Sequence, residues 1–283
     1  MNYRHVYHAG NFADVVKHAV LARIITYLKQ KEAAFRVIDT HAGTGLYDLS
    51  SVEAQKTGEW RDGIGKLLAA ELPARSAALF APYLDAVTGF NEGDRLQQYP
   101  GSPTLARRLL RHQDRLTAIE LHPADSAILK ARFEGDWQVR VIELDGWLAL
   151  GAHLPPKEKR GLVLVDPPFE QEGEFERLAD GLIKAHKRWP GGVYALWYPI
   201  KDRGAVNMFR ERLRAAGIAK VMDISFMVRA PSPEPRLDGT GMIVVNPPYV
   251  LAEELAIMLP ELHRILAEAN TPRPAVTWLS ASR

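Results

Sequence analysis

Hydrophobic residues recur along the chain in seven short runs that are rich in valine and isoleucine and end at polar residues, glycine or proline. Such runs predict β-strands. They cover residues 35–41, 116–121, 139–144, 161–167, 191–200, 220–228 and 241–247. Apolar residues at helical spacing predict helices over residues 13–31, 175–189 and 205–217. The alternation of strands and helices predicts an α/β fold with a seven-stranded, mostly parallel sheet and helices on both faces.

Two connections depart from a regular alternation of strand and helix. The last two predicted strands are joined by only about a dozen residues, APSPEPRLDGT. This short loop predicts a hairpin, so the last strand should run antiparallel to its neighbours. The first two strands, in contrast, are separated by far more chain than one crossover needs. We therefore predict a helical subdomain at residues 48–98, inserted into a main domain formed by residues 1–47 and 99–283, although a surface insertion without function is the alternative.

The composition narrows the class of protein. The chain is 47% hydrophobic and 25% charged, as expected for a protein with a sizeable core, and it has no cysteine. Disulfides, thiolate zinc sites and cysteine nucleophiles are therefore excluded, and we expect a cytoplasmic protein. No segment approaches the ~18 consecutive apolar residues of a membrane span. His5, His8 and His18 lack a carboxylate cluster at ligand spacing, so we predict no metal site.

Polar residues and glycines follow the first three predicted strands. Gly43 and Gly45 follow the first strand and allow the backbone to approach a ligand closely. Glu120 ends the second strand, where an acid can accept hydrogen bonds from both hydroxyls of a ribose. Asp145 follows the third strand and is placed to bind an adenine amino group. Because the carboxyl ends of parallel strands meet at one edge of a sheet, these residues together predict a nucleoside site.

The glycine turn indicates which nucleoside cofactor binds. NAD requires a third glycine around its pyrophosphate, and in GTGLYD this glycine is missing. Asp48 would moreover repel a diphosphate. S-adenosylmethionine has a cationic sulfonium and no phosphate, so an acidic pocket favours it as the cofactor.

Two strands end in a polar residue, two prolines and an aromatic residue. They end in Asp166-Pro167-Pro168-Phe169 and in Asn246-Pro247-Pro248-Tyr249. The first strand is predicted to be parallel, so Asp166 should lie at the edge of the sheet that carries Glu120. The second is predicted to be antiparallel, which places Asn246 at the opposite edge, where the prolines end the strand. Topology therefore selects the first motif as the site.

The residue types of the first motif suit a planar amine. The Asp166 carboxylate and the Pro167 carbonyl can each accept a hydrogen bond from an exocyclic adenine amine, which localises the nitrogen lone pair. Proline has no N–H group to compete. Phe169 offers a face for base stacking, typically worth ~1–3 kcal/mol. Asp166 can then accept the proton that the methylated amine loses.

Several motifs resemble the bacterial 23S ribosomal RNA adenine-N6 methyltransferase family known as RlmJ. These are YRHVYHAGNFADVVKH, DTHAGTGLYDL, YPGSP, AIELHP, DGW and VDPPFE. The resemblance implies a class I, Rossmann-like methyltransferase fold with a small helical insertion, S-adenosylmethionine as the donor, and 23S ribosomal RNA as the partner.

The resemblance also implies roles for individual residues. By matching positions, it assigns the donor pocket to His18, His41, Ser102, Glu120, Asp145, Gly146 and Asp166. It makes Asp166 the proton acceptor, and it places Tyr3 against the RNA substrate.

Other functions remain open on the sequence. The same proline motif serves methyltransferases that act on DNA adenine or on a protein glutamine, and a non-catalytic RNA-binding module is an alternative from another class. An intact Asp166 argues against the last of these. The small insertion argues against the DNA enzymes, which usually carry a larger recognition domain. We expect the protein to act as a monomer.

Overall fold

The structure, a computed structural model, describes residues 5–93, 95–232 and 236–280, and these contain ten strands and ten α-helices. The strands are β1 (Arg36–Asp39), β2 (Leu46–Asp48), β3 (Gln98–Pro100), β4 (Arg115–Glu120), β5 (Val139–Glu143), β6 (Gly161–Val165), β7 (Val193–Ile200), β8 (Val221–Met227), β9 (Gly239–Val245) and β10 (Ala275–Ser280). The helices are α1 (Phe12–Leu28), α2 (Val52–Thr57), α3 (Lys66–Ala69), α4 (Ala74–Thr88), α5 (Ser102–Leu109), α6 (Pro123–Arg132), α7 (Gly146–Ala152), α8 (Glu174–Arg188), α9 (Arg203–Ala215) and α10 (Leu251–Leu266).

Eight of the strands form one sheet in the order β10-β8-β9-β7-β6-β1-β4-β5. Neighbouring strands from β7 to β5 run parallel, whereas β9 is antiparallel to both β7 and β8. The predicted α/β fold is therefore confirmed. The last of the seven predicted strands is β9, and its antiparallel orientation is confirmed as well. The sheet also has an eighth strand, β10, which pairs with β8 at the edge and was not predicted.

The order of strands reverses beside β1. From β1 the chain continues to β4 and β5 on one side, and then crosses to β6 and β7 on the other. Ligands of open α/β sheets bind at such a switch point, beyond the carboxyl ends of the strands. The topology therefore places a crevice between the residues that follow β1, β4, β5 and β6.

Helices cover both faces of the sheet. Leu162 and Leu164 of β6 pack on the face that carries α1, α4, α5 and α10, whereas Val163 and Val165 pack on the face that carries α7, α8 and α9. Because successive residues of a strand point to opposite faces, the continuous hydrophobic run of β6 fills two cores at once.

Helix α1 lies almost entirely inside the protein. It begins where the side chain of Asn11 accepts hydrogen bonds from the backbone N–H groups of Ala13 and Asp14, at 2.9 and 3.0 Å. Its buried residues include the polar side chains of Asp14, Lys17 and His18. Since a buried polar group requires a partner, these three residues indicate an internal site.

The segment predicted as an insertion contains α2, α3 and α4. Buried residues of α4, among them Phe80, Tyr83 and Val87, belong to the same hydrophobic core as α1 and α10. The segment is therefore packed into the main core, and its status as a separate subdomain stays a prediction. In the described part of the chain, no helix combines the length and apolar character needed to span a bilayer.

Candidate active site

A cavity of about 940 Å³ opens at the carboxyl ends of β1, β4 and β6. It brings together the predicted site residues that lie in the described chain. They are His18, His41, Ser102, Glu120, Asp145, Gly146, Asp166, Pro167 and Phe169. Tyr3, which was predicted to contact the substrate, lies outside the described residues. Lys17 and Asp166, which are 149 positions apart in the sequence, also line this cavity. The acids that end the strands meet here because the carboxyl ends of parallel strands lie at one edge of the sheet.

The glycine turn after β1 is fixed by Glu120. One oxygen of this carboxylate accepts a hydrogen bond from the Gly43 N–H group at 2.8 Å, and the other accepts one from the His122 N–H group at 2.8 Å. Gly43 and Gly45 have φ angles of +58° and +83°, a conformation that favours glycine. Burial raises the pKa of Glu120, although the two N–H groups act against this. Glu120 therefore shapes the turn and still has lone pairs for a ligand hydroxyl.

Asp145 and Gly146 place α7 against the end of β1. Asp145 caps the helix, because its side chain accepts a hydrogen bond from the Trp147 N–H group at 2.8 Å. A Cβ atom on Gly146 would lie 2.3 Å from the Thr40 carbonyl oxygen, so only glycine allows this close approach. The His41 ring packs edge-on against Trp147, with 5.5 Å between centroids, and burial lowers its pKa to about 4. His41 is consequently uncharged near pH 7, and its ring forms part of the cavity wall.

Asp166 forms a salt bridge with Lys17 of α1. The Lys17 ammonium group also lies 2.8 Å from Asp14, which in turn contacts His5 Nε2 at 2.9 Å. Lys17 is only 3% exposed. Burial alone would lower its pKa, but the two carboxylates outweigh burial and raise it. Lys17 is thus a buried and charged residue of the site.

Asp39, at the end of β1, was not singled out from the sequence. It is 1% exposed, and its Oδ2 atom has no hydrogen-bond partner among the described residues. Burial raises its pKa to about 7; a hydrogen bond with Ser102 opposes this, and the negative charge of Asp166 adds to it. The Asp39 carboxyl group, buried beneath the glycine turn, therefore ionises close to neutral pH.

Ser102 lies at the start of α5 but does not cap it. Gly101 occupies the cap position, and its N–H group donates to the Gly45 carbonyl oxygen at 2.9 Å. This bond joins the YPGSP segment to the glycine turn. Ser102, which is 6% exposed, thereby reaches the cavity wall.

Aromatic rings surround the proline motif. The Phe169 ring packs against Phe175 and Trp197, with centroid separations of 5.0 and 5.7 Å. Phe169 itself has a φ angle of +51°, which turns the chain sharply after the two prolines. Trp197, on β7, also lines the cavity and was not predicted. The motif therefore presents an aromatic surface beside Asp166.

The second proline motif has another structure and another location. The Asn246 side-chain amide donates to the carbonyl oxygens of Pro190 and Gly192, each at 2.8 Å, next to the start of β7. Asn246, rather than the aromatic residue, has the positive φ angle, +51°. Because β9 is antiparallel to β7, this motif lies at the opposite edge of the sheet and acts as a turn.

Three arginines in or just after α5 have partners within the protein. Arg107 lies 2.5 Å from Asp136, Arg111 lies 2.9 Å from Asp114, and Arg108 lies over the ring of Phe90. No cluster of three or more metal-ligand side chains is found in the part of the chain that the structure describes.

Comparisons with known proteins show which family the whole chain is similar to. The family model "Ribosomal RNA large subunit methyltransferase D, RlmJ" matches residues 32–280. The "Ribosomal RNA large subunit methyltransferase J" of Escherichia coli K12 is 42% identical over 280 residues, covering 99% of each chain, and that of Haemophilus influenzae is 40% identical over 282 residues, also covering 99% of each. The crystal structure of protein LPL1258 from Legionella pneumophila has a TM-score of 0.87 at 32% identity, covering 96% of this chain and 98% of that one.

Proposed function

The chain belongs to the RlmJ family of ribosomal RNA large subunit methyltransferases, and from this premise we propose that it methylates the N6 amine of an adenine in 23S ribosomal RNA, with S-adenosylmethionine as the donor. The observation that carries the proposal is the position of Asp166. It shares one cavity with Glu120 and the glycine turn, whereas Asn246 lies at the far edge of the sheet.

The cavity suits the proposed donor. Glu120 supplies carboxylate oxygens for the ribose hydroxyls, and Asp145 lies where the adenine amino group is expected. Gly146 lines the cavity, and because it has no Cβ atom, α7 can approach the end of β1 closely. Carboxylates favour a cationic ligand and would repel a diphosphate. When bound, S-adenosylmethionine supplies an electrophilic methyl group on a positively charged sulfur.

Asp166 and Pro167 hold and activate the amine. The carboxylate and the backbone carbonyl accept its two N–H hydrogens, which directs the nitrogen lone pair at the methyl group. S-adenosylmethionine would supply the methyl group for the new N–C bond, and its sulfur would keep the electron pair of the S–C bond that is broken. The nitrogen then loses a proton, which Asp166 accepts. Lys17 fixes the orientation of this carboxylate, and positioning of the reacting atoms supplies much of the acceleration.

Aromatic residues hold the base. Phe169 and Trp197 form a surface next to Asp166 on which an adenine that has left its helix can stack. The substrate is accordingly a single-stranded or extruded nucleotide. We infer a cytoplasmic enzyme, since ribosomal RNA is its substrate, and we propose that it works as a monomer.

The decisive experiment presents three substrates to the enzyme separately. The protein is incubated with methyl-labelled S-adenosylmethionine and with 23S ribosomal RNA, duplex DNA or release-factor protein. We expect label in the RNA alone, recovered as N6-methyladenosine after nuclease digestion. Label found only in DNA or only in protein glutamine would assign the same site to another substrate. Absence of label from all three substrates, in protein that binds the donor, would refute the proposed reaction.

A further inference from the structure

Three buried aromatic side chains form a hydrogen-bonded chain beneath the cavity. The hydroxyl groups of Tyr83 and Tyr99 lie 2.9 Å apart, and the Tyr99 hydroxyl lies 2.7 Å from His18 Nδ1. All three residues are 0% exposed. The rings of His18 and Tyr99 are stacked, with 5.6 Å between centroids and 21° between planes. Tyr83, Tyr99 and His18 thus form a fixed hydrogen-bonded chain that is closed to water and ends at His18, and we call this chain the relay.

The relay has a preferred direction. Burial lowers the pKa of His18 to about 3, so near neutral pH the ring carries one hydrogen, on either Nδ1 or Nε2. Burial raises the pKa of both tyrosines, so each keeps its hydroxyl hydrogen. In the described part of the chain, the Tyr83 hydroxyl has no hydrogen-bond partner besides Tyr99. If Tyr99 donated to Tyr83, the Tyr83 hydrogen would be buried without an acceptor, which is unfavourable.

The first direction leaves both the Tyr83 hydrogen and His18 Nε2 without a partner among the residues that the structure describes, whereas the opposite direction leaves only the Nε2–H group, which belongs to a residue that lines the cavity. Tyr83 donates to Tyr99, and Tyr99 donates to His18 Nδ1, which must then be the unprotonated nitrogen. The single ring hydrogen therefore lies on Nε2. This atom is buried, has no partner among the described residues, and belongs to a residue that lines the cavity. Because Tyr99 occupies the Nδ1 side, the Nε2 side is the one left for a ligand.

We propose that Tyr99, whose hydroxyl is itself hydrogen-bonded by Tyr83, is a positioning residue that keeps His18 in its Nε2–H form, which donates to the carboxylate of the donor's methionine moiety. The inference rests on the proposed function and adds to it. The adenosine half of the donor meets Glu120 and Asp145, which accept hydrogen bonds. The methionine carboxylate is an anion and needs a donor, and a neutral N–H group can supply one.

The proposal changes the role expected for residues 48–98. Tyr83 belongs to α4, within this segment, which was predicted as an inserted subdomain with a surface insertion without function as the alternative. Through Tyr99 and His18, α4 contributes to the preorganisation of the donor site. Removing the segment would consequently disturb donor binding as well as any contact with RNA.

The first test measures the tautomer of His18 directly. Nitrogen-15 spectra of histidine-labelled, ligand-free protein distinguish a protonated ring nitrogen from an unprotonated one, and His18→Asn identifies the His18 signals. We expect Nε2 to be protonated in the wild type. In Tyr99→Phe, Nδ1 loses its only partner among the described residues, so both tautomers should appear. An unchanged spectrum in Tyr99→Phe, or a wild type protonated at Nδ1, would overturn the relay.

The second test compares two ligands by calorimetry. S-adenosylhomocysteine has the amino-acid carboxylate, whereas 5′-methylthioadenosine lacks the whole amino-acid part. We expect Tyr99→Phe to weaken binding of S-adenosylhomocysteine about tenfold, as for the loss of one hydrogen bond. Binding of methylthioadenosine should change by less than about twofold. Tyr83→Phe should weaken binding of S-adenosylhomocysteine less than Tyr99→Phe does, because Tyr99 can still donate to His18 Nδ1. Equal losses of affinity for both ligands would refute the contact between His18 and the carboxylate.

A matched control separates this role from general destabilisation. Tyr194 is also a buried tyrosine, 1% exposed, and its hydroxyl donates to the carbonyl oxygens of Ala185 and Trp189 on the other face of the sheet. Tyr194→Phe should leave the His18 spectrum and both affinities unchanged. If wild-type protein binds neither ligand, the proposed donor is wrong, while the spectrum of the ligand-free protein still tests the relay on its own.

Discussion

Lys17 and Asp166 form a salt bridge that joins helix α1 to the residue following strand β6. The ammonium group of Lys17 is shared with Asp14, so one buried cation serves two carboxylates. This arrangement explains how a lysine that is 3% exposed remains charged inside the protein. It also ties the proposed proton acceptor to a helix that is itself fixed by the core.

Replacing Lys17 with methionine should lower both stability and activity. The substitution keeps the length of the side chain but leaves two buried carboxylates without their cation. Breaking a buried pair in this way typically destabilises a protein by about 3–5 kcal/mol. Urea unfolding measures the change in free energy, and methyl transfer should fall in the protein that remains folded because Asp166 loses its orientation.

The control for this prediction is another lysine that has a carboxylate partner. Lys130 lies 2.9 Å from Glu143, and both side chains are nearly half exposed. Lys130→Met should change the unfolding free energy by less than about 1 kcal/mol, since water screens the pair. Equal destabilisation by the two substitutions would show that the Lys17 pairs contribute no more than a surface ion pair.

The two proline motifs should respond differently to substitution. Asp166→Asn removes the proton acceptor and places an N–H donor where the amine needs an acceptor, so methyl transfer should fall by about 10²–10⁴-fold. Asn246→Ala should leave methyl transfer nearly unchanged while lowering stability by roughly 1–3 kcal/mol, because the carbonyl groups of Pro190 and Gly192 lose their partner. Initial rates with labelled donor, together with thermal unfolding, separate the two effects. Similar losses of activity in both variants would mean that the topology does not select the site.

Strand-end residues were the part of the site that the sequence could predict. Glu120 and Asp166 each follow a run of hydrophobic residues, and parallel strands bring their carboxyl ends to one edge whatever lies between them. The pattern is local, and the geometry follows from the fold class. For this reason a single sequence was enough to place these acids in one cavity.

Residues whose role arises only from tertiary contact were missed. Lys17 meets Asp166 across 149 positions of sequence. A lysine within an apolar helix is usually assigned to the solvent face, but α1 is buried on nearly all sides. Strand β10 was missed for another reason. It lies at the edge of the sheet, and most of its residues are exposed or half-buried, so its hydrophobic pattern is weak.

Gly146 and Gly151 provide a matched pair within helix α7. A Cβ atom on Gly146 would lie 2.3 Å from the Thr40 carbonyl oxygen and 2.9 Å from His41 Cε1, so the turn after β1 must move. We expect Gly146→Ala to destabilise the protein by about 1–3 kcal/mol and to weaken binding of S-adenosylhomocysteine.

Gly151→Ala, in contrast, should stabilise the protein. No atom lies within 4 Å of a Cβ placed there, and alanine favours a helix over glycine by about 0.5–1 kcal/mol. Thermal unfolding and calorimetry of both variants measure the contrast. Unimpaired ligand binding by Gly146→Ala would show that the close approach of α7 to β1 is not needed for the donor site.

Asp39 should give the protein a distinctive dependence on pH. Burial raises its pKa from the ordinary value of 3.8 to about 7 in the folded protein. A raised carboxyl pKa means that the folded state holds its proton more tightly than the unfolded state does. The resulting stabilisation is complete below pH 3.8 and is lost as the pH rises through about 7.

Asp39→Asn removes this titration and keeps a side chain of the same shape. The unfolding free energy of the wild type should therefore fall relative to that of the variant between about pH 4 and pH 7, by a few kcal/mol at most. His18 and His41 also titrate abnormally over this range, but they are present in both proteins, so their effect cancels in the difference. Urea unfolding at several pH values measures that difference. A difference that stays constant with pH would show that Asp39 titrates near its ordinary pKa, and hence that water reaches the carboxyl group beneath the glycine turn.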